Sequence, residues 1–286
     1  MTREFLIAQT FNGLSYGALL FLLASGLSLI FGVMRIVNLA HGSYFMLGGY
    51  VGLSTVWRTG SFAAALVAGA VAVGLIGIAM ERLFLQRLAG QTLGQVLMTI
   101  GFALIFQDLA LLIWGGDPYT IPAPTFLQGA VRVGASSFPV YRIFIVVMAL
   151  AVGLLLWLAL ERTRVGAMIR AAVDDGEMAR GVGINVPLVS LAVFALGACL
   201  AAFGGVIGGA FLGVYPGADF EVLPYAFVVV IVGGLGSLPG AMVGSLLVGL
   251  LDTFGKALFP ELSYFTLFAP MALILALRPT GLFGRQ

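Results

Sequence analysis

The chain is poor in charge and in reactive side chains: one cysteine, one histidine and a single lysine occur among 286 residues. Charged residues make up 9% of the sequence, against roughly 25% in soluble domains, and hydrophobic residues make up 61%. A soluble fold of this length would have too little polar side chain to cover its surface. The composition therefore predicts an all-α, polytopic membrane protein.

The same scarcity limits the chemistry that the chain can perform. His41 and Cys199 stand alone, so neither a metal site nor a histidine-based enzyme is expected. Lys256 is followed by Ala257, which does not complete a phosphate-binding loop. The basic residues are spread out and the net charge is only +2, so no nucleic-acid groove is indicated. We expect no catalytic residue, no metal and no cofactor bound by this chain.

Apolar stretches of about 20 residues can cross a bilayer as helices. The sequence predicts eight or nine such helices in one transmembrane domain over residues 1–286. The second and seventh are short and interrupted by glycine, which favours broken or partly re-entrant segments. The stretches are Ala8–Phe31, Ser43–Trp57, Ser61–Leu83, Leu93–Trp114, Tyr141–Leu160, Leu188–Val214, Pro224–Leu235, Ala241–Leu258 and Tyr264–Leu277.

Arginine and lysine in the short loops predict the orientation of the chain. Nine of the 14 basic residues fall on one side if the N-terminus is outside and the C-terminus is cytoplasmic. The loop 161–187 is then cytoplasmic and the loop 115–140 is external. Four prolines make the external loop unlike a continuous helix.

Asp108 and Asp252 are the candidate functional acids within the apolar stretches. Asp252 precedes Lys256 by four residues, which favours a neutral structural pair on one helix face. Asp108 lies deep in the fourth stretch, where a buried polar anchor and a functional role are the two interpretations. Glycines repeat every four residues at 205, 209 and 213 and at 236, 240 and 244, which favours close helix contacts over a pore wall.

The cytoplasmic loop carries the pattern of two short amphipathic helices. Met168, Met178 and Val182 are among its apolar positions at helical spacing. The carboxylates of Asp174, Asp175 and Glu177 are suited to the start of the second helix. Two interpretations stay open: docking into the groove of a soluble partner, or a solvated surface loop.

Several segments together resemble one family, the permease subunits of branched-chain amino-acid ABC importers. The resemblance covers nearly the whole chain, and the shorter of the two permeases in such importers is the better match. The segments are Asn12-Gly13, Asn38-Leu-Ala-His41-Gly42-Ser-Tyr-Phe-Met-Leu-Gly48, Arg170-Ala171-Ala172-x-Asp174-x4-Ala179-x3-Gly183-Ile-Asn185, Gly233-Gly234-Leu-Gly236-Ser-Leu-Pro239-Gly240-Ala-Met-Val-Gly244 and Arg278-Pro-Thr-Gly281-Leu-Phe-Gly284-Arg285.

The resemblance implies an import complex in the bacterial inner membrane. This subunit would pair with a similar, non-identical permease, with a second copy of itself as the alternative. Two cytoplasmic ATPases, which bind ATP and Mg²⁺, would dock on the 161–187 loop, and a periplasmic solute-binding protein would deliver the solute. The implied ATPase-coupling residues are Arg170, Ala171, Ala172, Asp174, Asp175, Glu177, Ala179 and Gly183.

The implied transport mechanism is alternating access, with the solute bound at helix ends inside the membrane. The turns 38–42 and 233–240 are the local candidates, and His41 would either hydrogen-bond the solute or pack its own turn. The implied solutes are branched-chain or other amino acids, with urea, amides or small aromatic acids as alternatives. A channel or carrier acting alone and a structural scaffold are the other classes considered. The implied solute path comprises Asn12, Asn38, His41, Gly42, Gly48, Gly233, Gly234, Gly236, Pro239 and Gly240.

Overall fold

A computed structural model describes residues 3–133 and 136–284, and it is helical apart from one small hairpin. The strands β1 (Ala130–Val133) and β2 (Ser136–Pro139) pair antiparallel. Because every other long element is a helix and several helices are apolar enough to cross a membrane, the predicted all-α, polytopic class is confirmed. The helices are α1 (Arg3–Met34), α2 (His41–Thr59), α3 (Phe62–Met80), α4 (Thr92–Trp114), α5 (Val140–Arg162), α6 (Arg164–Asp174), α7 (Gly176–Gly181), α8 (Val186–Gly209), α9 (Ala218–Gly233), α10 (Leu238–Leu258) and α11 (Ser263–Leu277).

Each of the nine predicted apolar stretches corresponds to a helix. Within residues 3–133 and 136–284, six helices are long and apolar enough to cross a membrane: α1, α3 with its continuation to Leu88, α4, α5, α8 and α10. The remaining three, α2, α9 and α11, have 19, 16 and 15 residues. The glycines of α2 do not interrupt it, because the helix is continuous from His41 to Thr59. Arg285, at the end of the predicted tail motif, lies outside the described residues.

Helix α1 is the centre of the bundle and packs against α5, α8, α9 and α10. Its 32 residues extend about 48 Å, which exceeds the roughly 30 Å of a bilayer hydrocarbon core, so it tilts or projects from the membrane. Every residue from Gly17 to Ile30 is buried by neighbouring helices. The apolar side chains of α3, α4 and α5 are much more exposed, so these helices form the periphery.

Glycines allow helices to approach with almost no clearance. A methyl group added at Gly48 would overlap the backbone of Ala202 on α8, and one at Gly205 would overlap the carbonyl oxygen of Phe45 on α2. Contacts of this kind confirm the predicted role of the glycine repeats in helix packing. Two members of the repeats are not helical: Gly213 follows α8 and Gly236 precedes α10, both with positive φ.

The bundle has two distinct ends. At one end, α6 and α7 fold back on the ends of α1, α5 and α8, where Ile169 and Ala172 are buried against Leu29 and Leu156. At the other end, the β-hairpin packs beside the first turns of α1, with the rings of Phe11 and Phe138 4.4 Å apart. The two ends are separated by the whole length of α5.

The 115–140 loop is largely non-helical, as predicted, and it is tied to the segment between α8 and α9. Tyr119 and Val214 exchange backbone hydrogen bonds of 2.9 and 2.8 Å, and Ile121 N donates to the Gly209 carbonyl at 3.1 Å. These bonds hold both loops at the hairpin end of the bundle. The segment that leads into the short helix α9 is thereby held against the 115–140 loop.

Candidate functional site

Polar residues from three helices meet on one face of the bundle. Asn12 and Tyr16 on α1 are one turn apart and half-buried. Asp252 and Lys256 are one turn apart near the end of α10, and Tyr225 lies on α9. Residues four apart lie on one face of a helix, so each helix presents its polar groups together.

The ammonium of Lys256 lies at the centre of this group. Its Nζ is 2.8 Å from Asp252 Oδ2 and donates to Tyr225 Oη at 3.3 Å. The same nitrogen is 5.7 Å from the ring centroid of Tyr16 and 5.3 Å from that of Tyr225. Both rings are within cation–π range, and they meet edge to face with centroids 5.9 Å apart. We call Tyr16, Tyr225 and Asp252 the ammonium cage.

The two charges of the cage differ in exposure. The Asp252 side chain is 4% exposed, whereas that of Lys256 is 50% exposed. Asp252 Oδ1 is buried and has no hydrogen-bond partner among the described residues. The predicted pair between Asp252 and Lys256 is therefore confirmed, with the second oxygen of the buried Asp252 carboxylate outside the ion pair.

A second acid–tyrosine pair borders the cage. Tyr215, in the segment before α9, donates a 2.5 Å hydrogen bond to Glu221 Oε2 in the first turn of α9. Glu221 and Tyr225 are four residues apart and share a face of that helix. We call this side of the bundle the cage face; it carries the carboxylates of Asp252 and Glu221 and the side chains of Tyr16, Tyr215 and Tyr225 around Lys256.

Another polar cluster lies deeper, where the first turns of α2 and α9 meet. Ser43 Oγ donates to Asp219 Oδ2 at 2.7 Å, and Gly42 lies against the Asp219 carbonyl. Both side chains are fully or almost fully buried. Asn38 Oδ1 accepts from Ala40 N at 3.1 Å, and His41 Nε2 donates to the Leu23 carbonyl at 2.9 Å. The predicted turn 38–42 is therefore packed inside the bundle.

The 233–240 turn lies elsewhere, at the α6/α7 end. Gly236 touches Gly32 on α1, whereas His41 contacts Leu23, nine residues earlier on the same helix. At 1.5 Å per residue, the two predicted turns are about 13 Å apart along α1. The structure does not bring them together.

The C-terminal tail packs against Gly233 and Gly234 of the 233–240 turn. Leu282 N donates to Val232 O and Phe283 N to Gly233 O, both at 2.9 Å, and Gly234 lies against Gly284. Pro239 lies in the first turn of α10, after the N-cap Ser237, where a missing amide proton costs nothing. This turn is closely packed, and its role in a solute path stays a prediction.

Asp108 differs from what the sequence predicted. Asp108 is exposed on the outer face of α4, so it is not a buried polar anchor within this subunit. Leu104 and Leu112, one turn away on either side, are 50% and 81% exposed. An α-helix that is apolar all round gives no periodicity from which the buried face could be read. A carboxylate on such a face is costly in lipid and indicates a protein or water neighbour.

The α6/α7 segment forms the two helices that the sequence predicted. Asp175 caps α7, with Oδ1 accepting from Glu177 N and Met178 N at 2.9 Å. Arg170 Nη1 donates to the Leu160 carbonyl and lies 3.6 Å from Glu161 Oε2, which fixes α6 to the end of α5. Gly183, with φ of 91°, makes the turn into α8.

The predicted coupling residues divide between two faces of this segment. Ala172 and Ala179 are buried against the bundle, and Arg170 and Ala171 are half-buried. Asp174, Asp175, Glu177 and Gly183 are exposed. The exposed face also carries large apolar side chains, with exposed fractions of 55% for Val165, 37% for Met168, 66% for Met178 and 72% for Val182. We call these four residues the α6/α7 apolar face.

The sequence did not identify Tyr16, Tyr225 or Asp219 as site residues. Tyrosines in apolar stretches look like interfacial anchors, and Asp219 precedes the predicted apolar stretch that begins at Pro224. One signal was available: the only lysine of the chain follows Asp252 by one helical turn.

Comparison with known proteins places residues 9–277 in a family described as branched-chain amino acid transport system, permease component. The chain is 31% identical to the high-affinity branched-chain amino acid transport system permease protein BraD of Pseudomonas aeruginosa, covering 98% of this chain and 96% of BraD. It is also 31% identical to the corresponding permease protein LivH of Escherichia coli, covering 100% and 98%. A solved structure of PsaBC from Streptococcus pneumoniae with a Fab covers 93% of this chain and 89% of its own at 13% identity, with a TM-score of 0.48.

Proposed function

Since the chain belongs to the branched-chain amino acid transport system permease family, we propose that it is the membrane-spanning subunit of an ATP-driven importer of branched-chain or related amino acids. The α6/α7 apolar face carries this proposal. Four large apolar side chains exposed on a short, rigid segment at one end of the bundle are typical of a protein contact. The proposed partners there are two ATPases, which supply the ATP and Mg²⁺ sites.

Rigid attachment suits the α6/α7 segment to transmit motion. Ile169, Ala172 and Ala179 are buried in one cluster with residues of α1, α5 and α8. Arg170 fixes α6 against the end of α5, and Asp175 caps the first turn of α7. In the proposed alternating-access mechanism, closure of the ATPases moves this segment, and the attached helices move with it.

The orientation proposed for the chain puts the α6/α7 end in the cytoplasm and the β-hairpin end outside, in a bacterial inner membrane. Arg162, Arg164 and Arg180 lie at the α6/α7 end, which follows the preference of cytoplasmic loops for basic residues. A periplasmic solute-binding protein would then approach the hairpin end. A sister permease would pair laterally with this chain.

The cage face is the proposed solute route through this subunit. Its charged and hydroxyl groups lie between helices that otherwise present apolar side chains, and such groups inside a membrane mark solute pathways. The family resemblance by itself also permits urea, amides and small aromatic acids as solutes. The amino-acid proposal is favoured by the presence of both a carboxylate and an ammonium on that face.

Reconstitution tests the proposed function. The chain is co-expressed with the sister permease and ATPases of its operon, purified and placed in liposomes with the cognate binding protein. We expect uptake of labelled leucine that requires ATP inside the vesicles on the ATPase side. Uptake that persists without ATP, in vesicles containing this chain alone, would contradict the proposal and favour a channel or carrier.

A further inference from the structure

The ammonium of Lys256 shows what the cage can bind. One carboxylate oxygen, one phenol oxygen and two aromatic rings surround a primary ammonium. These are the groups by which proteins recognise alkylammonium ions in general. We propose that Tyr16, Tyr225 and Asp252 recognise the ammonium group of the transported solute, and that Lys256 occupies their cage only until a solute enters. This inference rests on the proposed function.

The cage is built for exchange rather than for a permanent pair. Lys256 is half-exposed on a flexible four-carbon stem, so its ammonium can swing away without moving a helix. Asp252 is held in place and buried. A buried carboxylate needs a counter-charge, so the departure of Lys256 requires another cation to take its place. The unpartnered Asp252 Oδ1 is a further acceptor for a group that carries three N–H donors.

A displaced Lys256 would also provide an ion-pair partner for the carboxylate of an amino acid. Once outside the cage, its ammonium stays within one side-chain length of Asp252, four residues away on the same helix. The solute ammonium then pairs with Asp252, and the solute carboxylate pairs with Lys256. The Asp252–Lys256 pair is neutral before the solute enters, and two positive and two negative charges balance once it is bound. Urea, amides and anions without an ammonium cannot compensate Asp252, so the inferred solute class is one that carries a primary ammonium.

A double variant separates this role from that of a structural ion pair. The complete importer carries D252N, K256M or both substitutions, and ATP-driven leucine uptake is measured per assembled complex. D252N is expected to lower uptake about tenfold to a hundredfold, as for loss of a charge-assisted hydrogen bond. The double variant is expected to show the same low uptake as D252N, because the cage still lacks its carboxylate. Recovery of wild-type uptake in the double variant would overturn the inference, since a structural pair can be removed as a unit.

A second measurement does not depend on the folding of D252N. In K256M the cage is vacant, so isopentylamine, an alkylammonium without a carboxylate, should inhibit leucine uptake at about a tenfold lower concentration than in the wild type. Isovalerate, which lacks the ammonium, should inhibit neither protein. Equal inhibition of K256M and wild type by isopentylamine would also overturn the inference.

Exposed residues of matching type provide the controls. Asp117 and Arg58 lie outside the cage in exposed positions, and D117N with R58M should leave both uptake and inhibition unchanged. A wild-type importer without ATP-dependent leucine uptake would overturn the proposed function and this inference together. An active wild type with a fully active double variant would overturn the inference alone.

Discussion

His41 Nε2 donates a hydrogen bond of 2.9 Å to the carbonyl oxygen of Leu23, in the middle of α1. A carbonyl oxygen only accepts, so Nε2 carries the proton of this bond. The bond ties the first residue of α2 to a neighbouring helix inside the bundle. His41 therefore fixes the position along α1 at which α2 begins.

Replacing His41 by alanine should weaken this attachment. H41A removes a buried hydrogen bond and leaves a cavity, which should cost about 1–3 kcal/mol of stability. We expect a lower thermal unfolding midpoint in detergent, whereas H41Q, whose amide nitrogen can reach the same carbonyl, should keep most of the stability. An H41A protein that melts like the wild type would show that the bond contributes nothing.

Helix packing should be sensitive to one methyl group at Gly48 and insensitive at Gly101. A Cβ at Gly48 meets the backbone of Ala202, which cannot move aside, whereas a Cβ at Gly101 on α4 meets nothing within 4 Å. G48A should lower the yield of monodisperse protein severalfold on size-exclusion chromatography. G101A should be neutral or slightly stabilising, because alanine favours helix more than glycine does. Similar yields for both variants would contradict the packing described for α2 and α8.

Helix positions, the α7 cap and one ion pair could be predicted from the sequence. Helix positions followed from apolar length, because lipid forces the backbone to satisfy its own hydrogen bonds. The α7 cap at Asp175 followed from local chemistry. The Asp252–Lys256 pair followed from four-residue spacing.

The cage and the face of Asp108 could not be predicted in this way. Tyr16, Tyr225 and Asp252 belong to three helices, and no local pattern states that these helices are neighbours. Asp108 lies in a helix with apolar residues on every side, so its exposed face depends on where the other helices pack. The level of α2 depended on the contact between His41 and Leu23, 18 residues apart in the chain.

A charge on the α6/α7 apolar face should uncouple the chain from its ATPases. Met178 is 66% exposed, so M178D should leave folding intact and disrupt an apolar interface. We expect ATPase recovery in affinity purification and leucine uptake to fall at least about tenfold. Phe126, 76% exposed in the loop at the hairpin end, provides the matched control. F126D should retain the ATPases; equal recovery with M178D would exclude this face as their docking site.

Asp108 should be shielded from lipid in the assembled importer. A spin label at D108C, in a C199S background, should show low collision rates with molecular oxygen, which concentrates in hydrocarbon. A label at L75C on α3, where leucine is 61% exposed, should show high rates. Equally high rates at both positions would mean that Asp108 faces the bilayer and that neither subunit nor water covers it.

The single lysine of the chain has a practical consequence. Lys256 provides the only side-chain amine in 286 residues, and it lies at the opposite end of the bundle from α6 and α7. Any amine-directed cross-link or acyl tag on a lysine of this subunit therefore reports one known position. Mass spectrometry of the assembled importer could use that position as a fixed coordinate: a cross-linked peptide from another subunit identifies the protein surface that comes within the linker's reach of the cage.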